Sequence, residues 1–396
     1  MMRKTYFILL SCLGFTLSLS YAQSPKDSVE VSLEPYVSLR GHLAVYDEQM
    51  ELQENASKIG MRLSAGNNRV SFIAGTEVQL NMFKGSSSFN VDGDLAGGFL
   101  VVQPSQTQQV FGNRLGYLGI DLHKYGTVTF GKQWGVYRDI TSYTDQFSVF
   151  GRRASATFIG GTDGGEGGTG RADQAIIYRN HFGPVSLGAQ MQARNSNKSR
   201  FIDGYGLSSQ IQVTKEFLIG LAYNRAFLNE PLINNHQVIG LTGNPVYFSF
   251  GTKYNSDKID FGFILVHQKN GDFTQGELVH PTLGTLKPTV VYDANGAEVF
   301  GKYKFQKYAL LLGYNLYVPE TNITSIPVGN DLPINSKFRT SDLISGIIYQ
   351  PVRPVQIYAE QRVSFGRTAL GKKEPSVFTL GLKLDIAKQY NSTMFF

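Results

Sequence analysis

The sequence predicts an all-β chain that forms a closed 16-stranded antiparallel transmembrane β-barrel. Three observations carry this reading. Apolar and polar residues alternate over many short segments, which is the period of a strand with two unlike faces. Short and long connections alternate without exception, so every long one leaves at the same end. Beyond residue 22 no apolar run approaches the ~20 residues a membrane helix needs. The 43 Gly, 27 Phe and 21 Tyr, with only 17% charged residues, suit lipid-facing strands with aromatic rims instead.

The first segment reads as an export signal. Arg3 and Lys4 precede an apolar core over 6–19, and Ser20-Tyr21-Ala22 offers small residues to a signal peptidase. Residues 1–22 are therefore assigned to a signal peptide and 23–396 to the barrel, with 23–28 as a lead and 387–396 as a C-terminal tail. Leu9-Leu10-Ser11-Cys12 echoes a lipoprotein signal, but the apolar run continues past Cys12. Cys12 is the sole cysteine, so the mature chain has no disulfide, thiolate nucleophile or sulfur ligand. The 37 basic residues less Arg3 and Lys4 leave 35 against 31 acidic, a net charge of +4. That excess is too mild for a nucleic-acid surface, and no nucleic-acid partner is expected.

The strands follow in order. Leu39, Gly41, Leu43 and Val45 oppose Arg40, His42, Ala44 and Tyr46. Val355, Ile357 and Ala359 oppose Gln356, Tyr358 and Glu360, while Phe378, Leu380, Leu382, Leu384 and Ile386 share one face of the last strand. Short connections fall at 66–69, 121–125, 181–184, 214–215, 255–258, 306–307 and 350–354, with Gly, Asn, Asp and Pro as turn residues. Long ones fall at 47–57, 84–113, 135–172, 195–202, 228–243, 269–297, 320–337 and 367–374. Eight long and seven short connections make 16 strands. A soluble sandwich has no reason to sort its loops this way. A sheet in lipid must close, because no backbone amide can go unpaired there.

The most specific words lie between 112 and 180: GNRLGYLGIDL, YGTVTFGKQWGVYRD, TSYTDQFSVFG and IIYRN. They resemble the trimeric general porins of Gram-negative outer membranes. The resemblance implies that the third loop, 135–172, folds into the barrel and constricts the pore. It places Arg40, Arg62, Arg114 and Arg179 on a basic ladder along the pore wall and Asp145 on the loop facing them. Val149 stands where that family carries a second acid, and Arg152-Arg153 where it carries glycines, which points to a more positive eyelet. Trp134, Tyr143 and Phe150 would pack the loop on the wall. The implied function is passive diffusion of small hydrophilic solutes and ions across the outer membrane, with mild anion preference. Outer-membrane lipid and two further copies in a homotrimer, latched by loop two, are the implied partners. The family usually ends on an aromatic that closes the last strand; here AKQYNSTMFF follows Ile386.

Other features take plainer readings. Gly160–Gly170 lacks the Gly-Lys-Ser/Thr ending of a phosphate loop and reads as the flexible return of loop three. Asp163, Glu166 and Asp173 lack the spacing of a calcium loop, and neither metal nor cofactor is expected. Six scattered His residues form no His-Glu-x-x-His pair, and no Gly-x-Ser-x-Gly elbow occurs, so no enzyme activity is expected. Three alternatives stay open: a substrate-selective porin for sugars or anions, a non-conducting barrel serving as adhesin or anchor, and arginines that merely hold the loop.

Overall fold

The computed structural model describes residues 28–54, 56–81, 83, 111–158, 163–195, 200–228, 238–275, 278–280, 284–286, 289–320, 325–326, 332–333, 335–368 and 371–395. The assigned signal peptide, 1–22, and nearly all of the loop-two latch lie outside the described residues.

The barrel strands are β1 (Ser28–Tyr46), β2 (Lys58–Gly66), β3 (Ser71–Leu80), β4 (Phe111–Asp121), β5 (Thr127–Trp134), β6 (Arg171–Phe182), β7 (Val185–Gln192) and β8 (Gly204–Gln212). They continue as β9 (Phe217–Ala226), β10 (Val246–Asn255), β11 (Ile259–Gln275), β12 (Thr289–Phe305), β13 (Tyr308–Glu320), β14 (Thr340–Val352), β15 (Val355–Ser364) and β16 (Val377–Ala387). Each pairs antiparallel with the next. β1 then pairs with β16, from Tyr36 opposite Ala387 to Val45 opposite Phe378, and the cylinder is closed.

Alternation explains both faces. In β13, Tyr308, Leu310, Leu312 and Tyr314 are exposed, while Ala309, Leu311, Gly313 and Asn315 are buried inside. Leu118, Leu207, Leu221, Leu265, Leu312 and Leu380 are all more than 40% exposed, an apolar belt that only lipid can cover. At the short-turn end, Tyr303, Phe305, Tyr308 and Tyr349 stack with centroids 6.1, 5.6 and 4.9 Å apart, as an interfacial girdle does.

Three segments carry more strand than the sequence reading gave them. Within the expected loop 47–57, Gln49–Glu54 turns back on β1, from Tyr46 opposite Gln49 to Gly41 opposite Glu54. Most of 269–297 was expected to be loop, yet β11 runs on to Gln275 and β12 begins at Thr289. The register slips between Gln268 and Asp272, where Asn270 takes a left-handed φ of 48°, and this bulge breaks the period-two pattern. At the C-terminus, pairing stops at Lys388-Gln389 and resumes. Tyr390–Phe395, within the expected tail, pairs with β1 from Leu33 back to Ser28.

Candidate functional site

Residues 135–170 return to their own root: Gly135 donates its N–H to Gly170 O at 2.8 Å. Over 136–154 the chain lies on the inward face of the wall. A row of glycines makes room for it. A Cβ at Gly188 (β7) or Gly206 (β8) would meet Val136 at 3.0 and 2.9 Å. At Gly220 (β9) and Gly251 (β10) it would meet Ile140 at 2.3 and 2.9 Å. At Gly262 (β11) it would sit 2.3 Å from the backbone oxygen of Tyr143, at Gly296 (β12) 1.9 Å from that of Ala154, and at Gly313 (β13) 2.7 Å from Phe147. One glycine on each of seven consecutive strands thus forms the bed of loop three.

Wall acids fasten the loop to this bed. Glu360 on β15 accepts the backbone N–H groups of Ser148 (2.6 Å), Val149 (2.9 Å) and Phe150 (3.3 Å). Glu298 on β12 accepts from Thr144 Oγ1 at 2.5 Å and Ala154 N at 2.8 Å. Asp342 on β14 pairs with Arg153, which also reaches Glu374 at 3.1 Å. Arg153 is 4% exposed, so it is a buried fastener and not part of a lumen-facing ring as the sequence reading had it. Arg179 departs from the ladder role likewise. From β6 it binds Asp139 at 3.0 Å and Trp134 O at 3.0 Å, at the root of the loop.

The three aromatics take part in this seating. Phe150 is 1% exposed in a cluster with Phe300, Leu311, Ile344 and Tyr358. Tyr143 packs with Tyr137, Ile140 and Ile264, and its hydroxyl donates to Gln210 at 3.0 Å. Trp134 meets Phe158 edge-on at 6.2 Å, with the Arg138 guanidinium 3.9 Å above its ring.

The facing wall, β16 with β1–β4, carries the bases. Arg40 stands directly opposite Lys383 across the β1–β16 seam. Its Nε donates to Ser38 Oγ at 3.1 Å, and Arg114 and Arg152 lie close enough to act on its charge. Lys58 and Arg114 share one acid, Glu77, at 3.0 and 2.6 Å. By simple parity Arg114 belongs with Leu118 on the lipid side. The β3–β4 register skips it, pairing Glu77 with Leu115 and Val78 with Asn113, and this bulge turns Arg114 inward. Arg62 faces inward too, but it pairs with Glu34 at 2.9 Å and stacks over Tyr36 at 4.7 Å. Lys58, Lys383 and Glu77 were missed by the sequence reading.

Asp145 does not look across open space at those bases. Arg138 (2.9 Å) and Arg152 (3.2 Å) of its own loop hold it. Arg152 sits at φ 62°, the region where glycine is least strained. On the loop's return, Lys132 binds Asp173 at 2.5 Å and Asp163 at 2.7 Å, so these acids are engaged by bases. Burial alone would raise the Asp163 pKa, but Lys132, Arg171 and the Gly165 N–H hold it below the usual carboxylate range. A carboxylate with a depressed folded pKa stabilises above its unfolded pKa and loses that contribution as pH falls through the folded one. The return should therefore stay closed at about pH 5 and loosen only below ~3.9. Amide hydrogen exchange over Gly164–Gly170, corrected for intrinsic rate, checks this; loosening already at about pH 5 would contradict it.

A family model described as Gram-negative porin matches residues 10–329. Outer membrane porin F of Xenorhabdus nematophila is 35% identical over 124 residues, 28% of this chain and 32% of that protein. Outer membrane porin N of Escherichia coli is 27% identical over 165 residues, 37% of this chain and 42% of that protein. The chain thus spans less than half the length of these curated relatives. Among solved structures, Salmonella typhi OmpF in complex with daunomycin superposes with a TM-score of 0.64 at 14% identity, over 90% of this chain and 97% of that one. An anion-selective porin from Comamonas acidovorans superposes with a TM-score of 0.60 at 11% identity, over 90% and 100%. At these identities the structural likeness is one of fold. The family match extends through most of the barrel, and the chain belongs to the Gram-negative porins of the outer membrane.

Proposed function

We propose that the barrel is a passive diffusion channel for small hydrophilic solutes and ions, narrowed by loop three and mildly anion-preferring. One observation carries the sign. The loop uses up the acids of its own wall, Glu298, Asp342 and Glu360, while the five bases Arg40, Lys58, Arg114, Arg152 and Lys383 share three acids, Glu77, Asp145 and Asp385. Arg40 opposite Lys383 is a like-charge pair that one carboxylate, Asp385 at 2.6 Å from Lys383, offsets only in part, and a passing anion relieves the rest. In a low-dielectric neck a few such charges outweigh the net charge of the surface. Arg40, Lys58, Arg114 and Arg152 set this field, with Lys383 beside them offset by Asp385. Arg62 adds little, being matched by Glu34.

No catalytic role is proposed. The Ser–His contact between His181 Nδ1 and Ser186 Oγ, at 2.7 Å, is an exposed cross-strand pair with no described carboxylate behind it. A homotrimer is the proposed assembly, supported by the solved trimer form of OmpT from Vibrio cholerae, a barrel of like fold with a TM-score of 0.57.

Planar-bilayer recording tests the reading. The purified protein should give stable open steps and a reversal potential that favours anions under a salt gradient. Arg40→Ala with Lys58→Ala should reduce the anion-to-cation permeability ratio by about twofold or more. Absence of open steps would refute the channel, and an unmoved potential in the double variant would refute the assigned bases.

A further inference from the structure

We infer that the short-turn end of the barrel carries a ring of cations that binds the phosphate headgroups of anionic phospholipids in the leaflet it meets. Six of the seven short turns present a basic residue: Arg69, Lys124, Lys215, Lys258, Lys307 and Arg353. All six are exposed. Among the described residues none has a carboxylate within 4.0 Å, although Glu216 and Asp257 lie in two of the same turns. The seventh turn, after β6, has His181 in the corresponding place.

A single exposed lysine in a turn is ordinary solvation. Two features here go beyond that. The cations are spaced around the perimeter, one in each of six of the seven hairpins, where a planar lipid surface would meet them together and a partner docking from one side would meet only a few. They also sit at the depth of the aromatic girdle. Lys124 Nζ lies 4.7 Å over the Tyr125 ring, and Lys388, where β16 breaks, lies 5.0 Å over Tyr390. Lys307 sits between Phe305 and Tyr308, whose rings stack at 5.6 Å. Girdle aromatics mark the headgroup level of a bilayer, so a cation held against them faces lipid phosphate. In an outer-membrane barrel the short turns are periplasmic, so the phosphate belongs to the inner leaflet.

The test uses the full-length barrel in phosphatidylcholine bilayers with spin-labelled phosphatidylglycerol or phosphatidylcholine as probe. The wild type should immobilise phosphatidylglycerol about two- to fivefold more strongly, and about 1 M salt should erase most of that preference. The variant with all six residues changed to Gln should bind the two probes nearly equally, and the variant with the four lysines changed to Arg should keep the preference. No preference in the wild type, or equal preference in the wild type and the Gln variant, overturns the proposal. So does retention of the wild type, but not the Gln variant, on purified peptidoglycan without any lipid preference. The salt titration needs no variant, and a barrel that proved non-conducting would still show the lipid effect.

Discussion

Gly262→Val should lower single-channel conductance by about twofold or more, because it removes the bed on which the middle of loop three lies. A Cβ there would sit 2.3 Å from the Tyr143 backbone oxygen and 2.8 Å from its carbonyl carbon. Backbone cannot rotate away as a side-chain tip can, so the loop must rise from the wall toward the lumen. Its ends stay tied, at the root by Arg179 to Asp139 and further on by Glu360 to residues 148–150. A tethered segment pushed inward narrows the passage. Overpacking of this kind costs about 1–3 kcal/mol, so the barrel itself should still assemble. Trp134 reports the change optically: it is the sole tryptophan, and its emission should shift as the Arg138 stack at 3.9 Å loosens. Gly301→Ala is the control, since a Cβ at Gly301 meets only Leu312 O, at 3.8 Å. Equal conductance in Gly262→Val, Gly301→Ala and the wild type would show that the loop does not bound the conducting path.

What could be read in advance follows how local each signal is. The 16 strands and the sorting of turns from loops depend on neighbours two residues apart and on turn chemistry, so they were legible. Arg114 was placed on the pore wall by resemblance, yet parity alone contradicts it; the bulge that resolves this lies in the pairing of β4 with β3. Glu298, Asp342 and Glu360 gave no sign of holding the loop. Glu360 lies 211 residues from Val149 and Asp342 lies 189 from Arg153, and nothing local announces such contacts. Arg153 looked like a pore charge because adjacent Arg152 and Arg153 read alike, while in the fold one reaches Asp145 and the other is buried behind the loop. The glycine bed left a trace that was available: Gly251, Gly262 and Gly313 all fall on inward positions of their strands. Asp145 was assigned by resemblance, and its two arginine partners depend on the turn geometry around φ 62° at Arg152.

Asp342→Ala should produce the largest loss of stability of any single change considered, about 3–5 kcal/mol. The reason is what it leaves behind. Arg153 and Asp342 have side chains only 5% and 0% exposed, with Glu374 at 5% completing the group. Removing Asp342 strands part of a guanidinium charge in a place water hardly reaches, and Glu374 alone supplies the remaining partner. Arg362, itself 2% exposed and 5.3 Å over the Phe150 ring, adds a second positive charge nearby and makes the surplus worse. The alternative arrangement is instructive: Arg153→Met with Asp342→Leu removes both charges together and should recover most of the loss, because a buried ion pair and a packed apolar pair of similar volume differ little. Equilibrium unfolding in urea from lipid vesicles, followed by Trp134 emission, measures both. If Asp342→Ala unfolds at the same urea concentration as the wild type, the cluster does not hold the loop, and the barrel owes its stability to strand pairing alone.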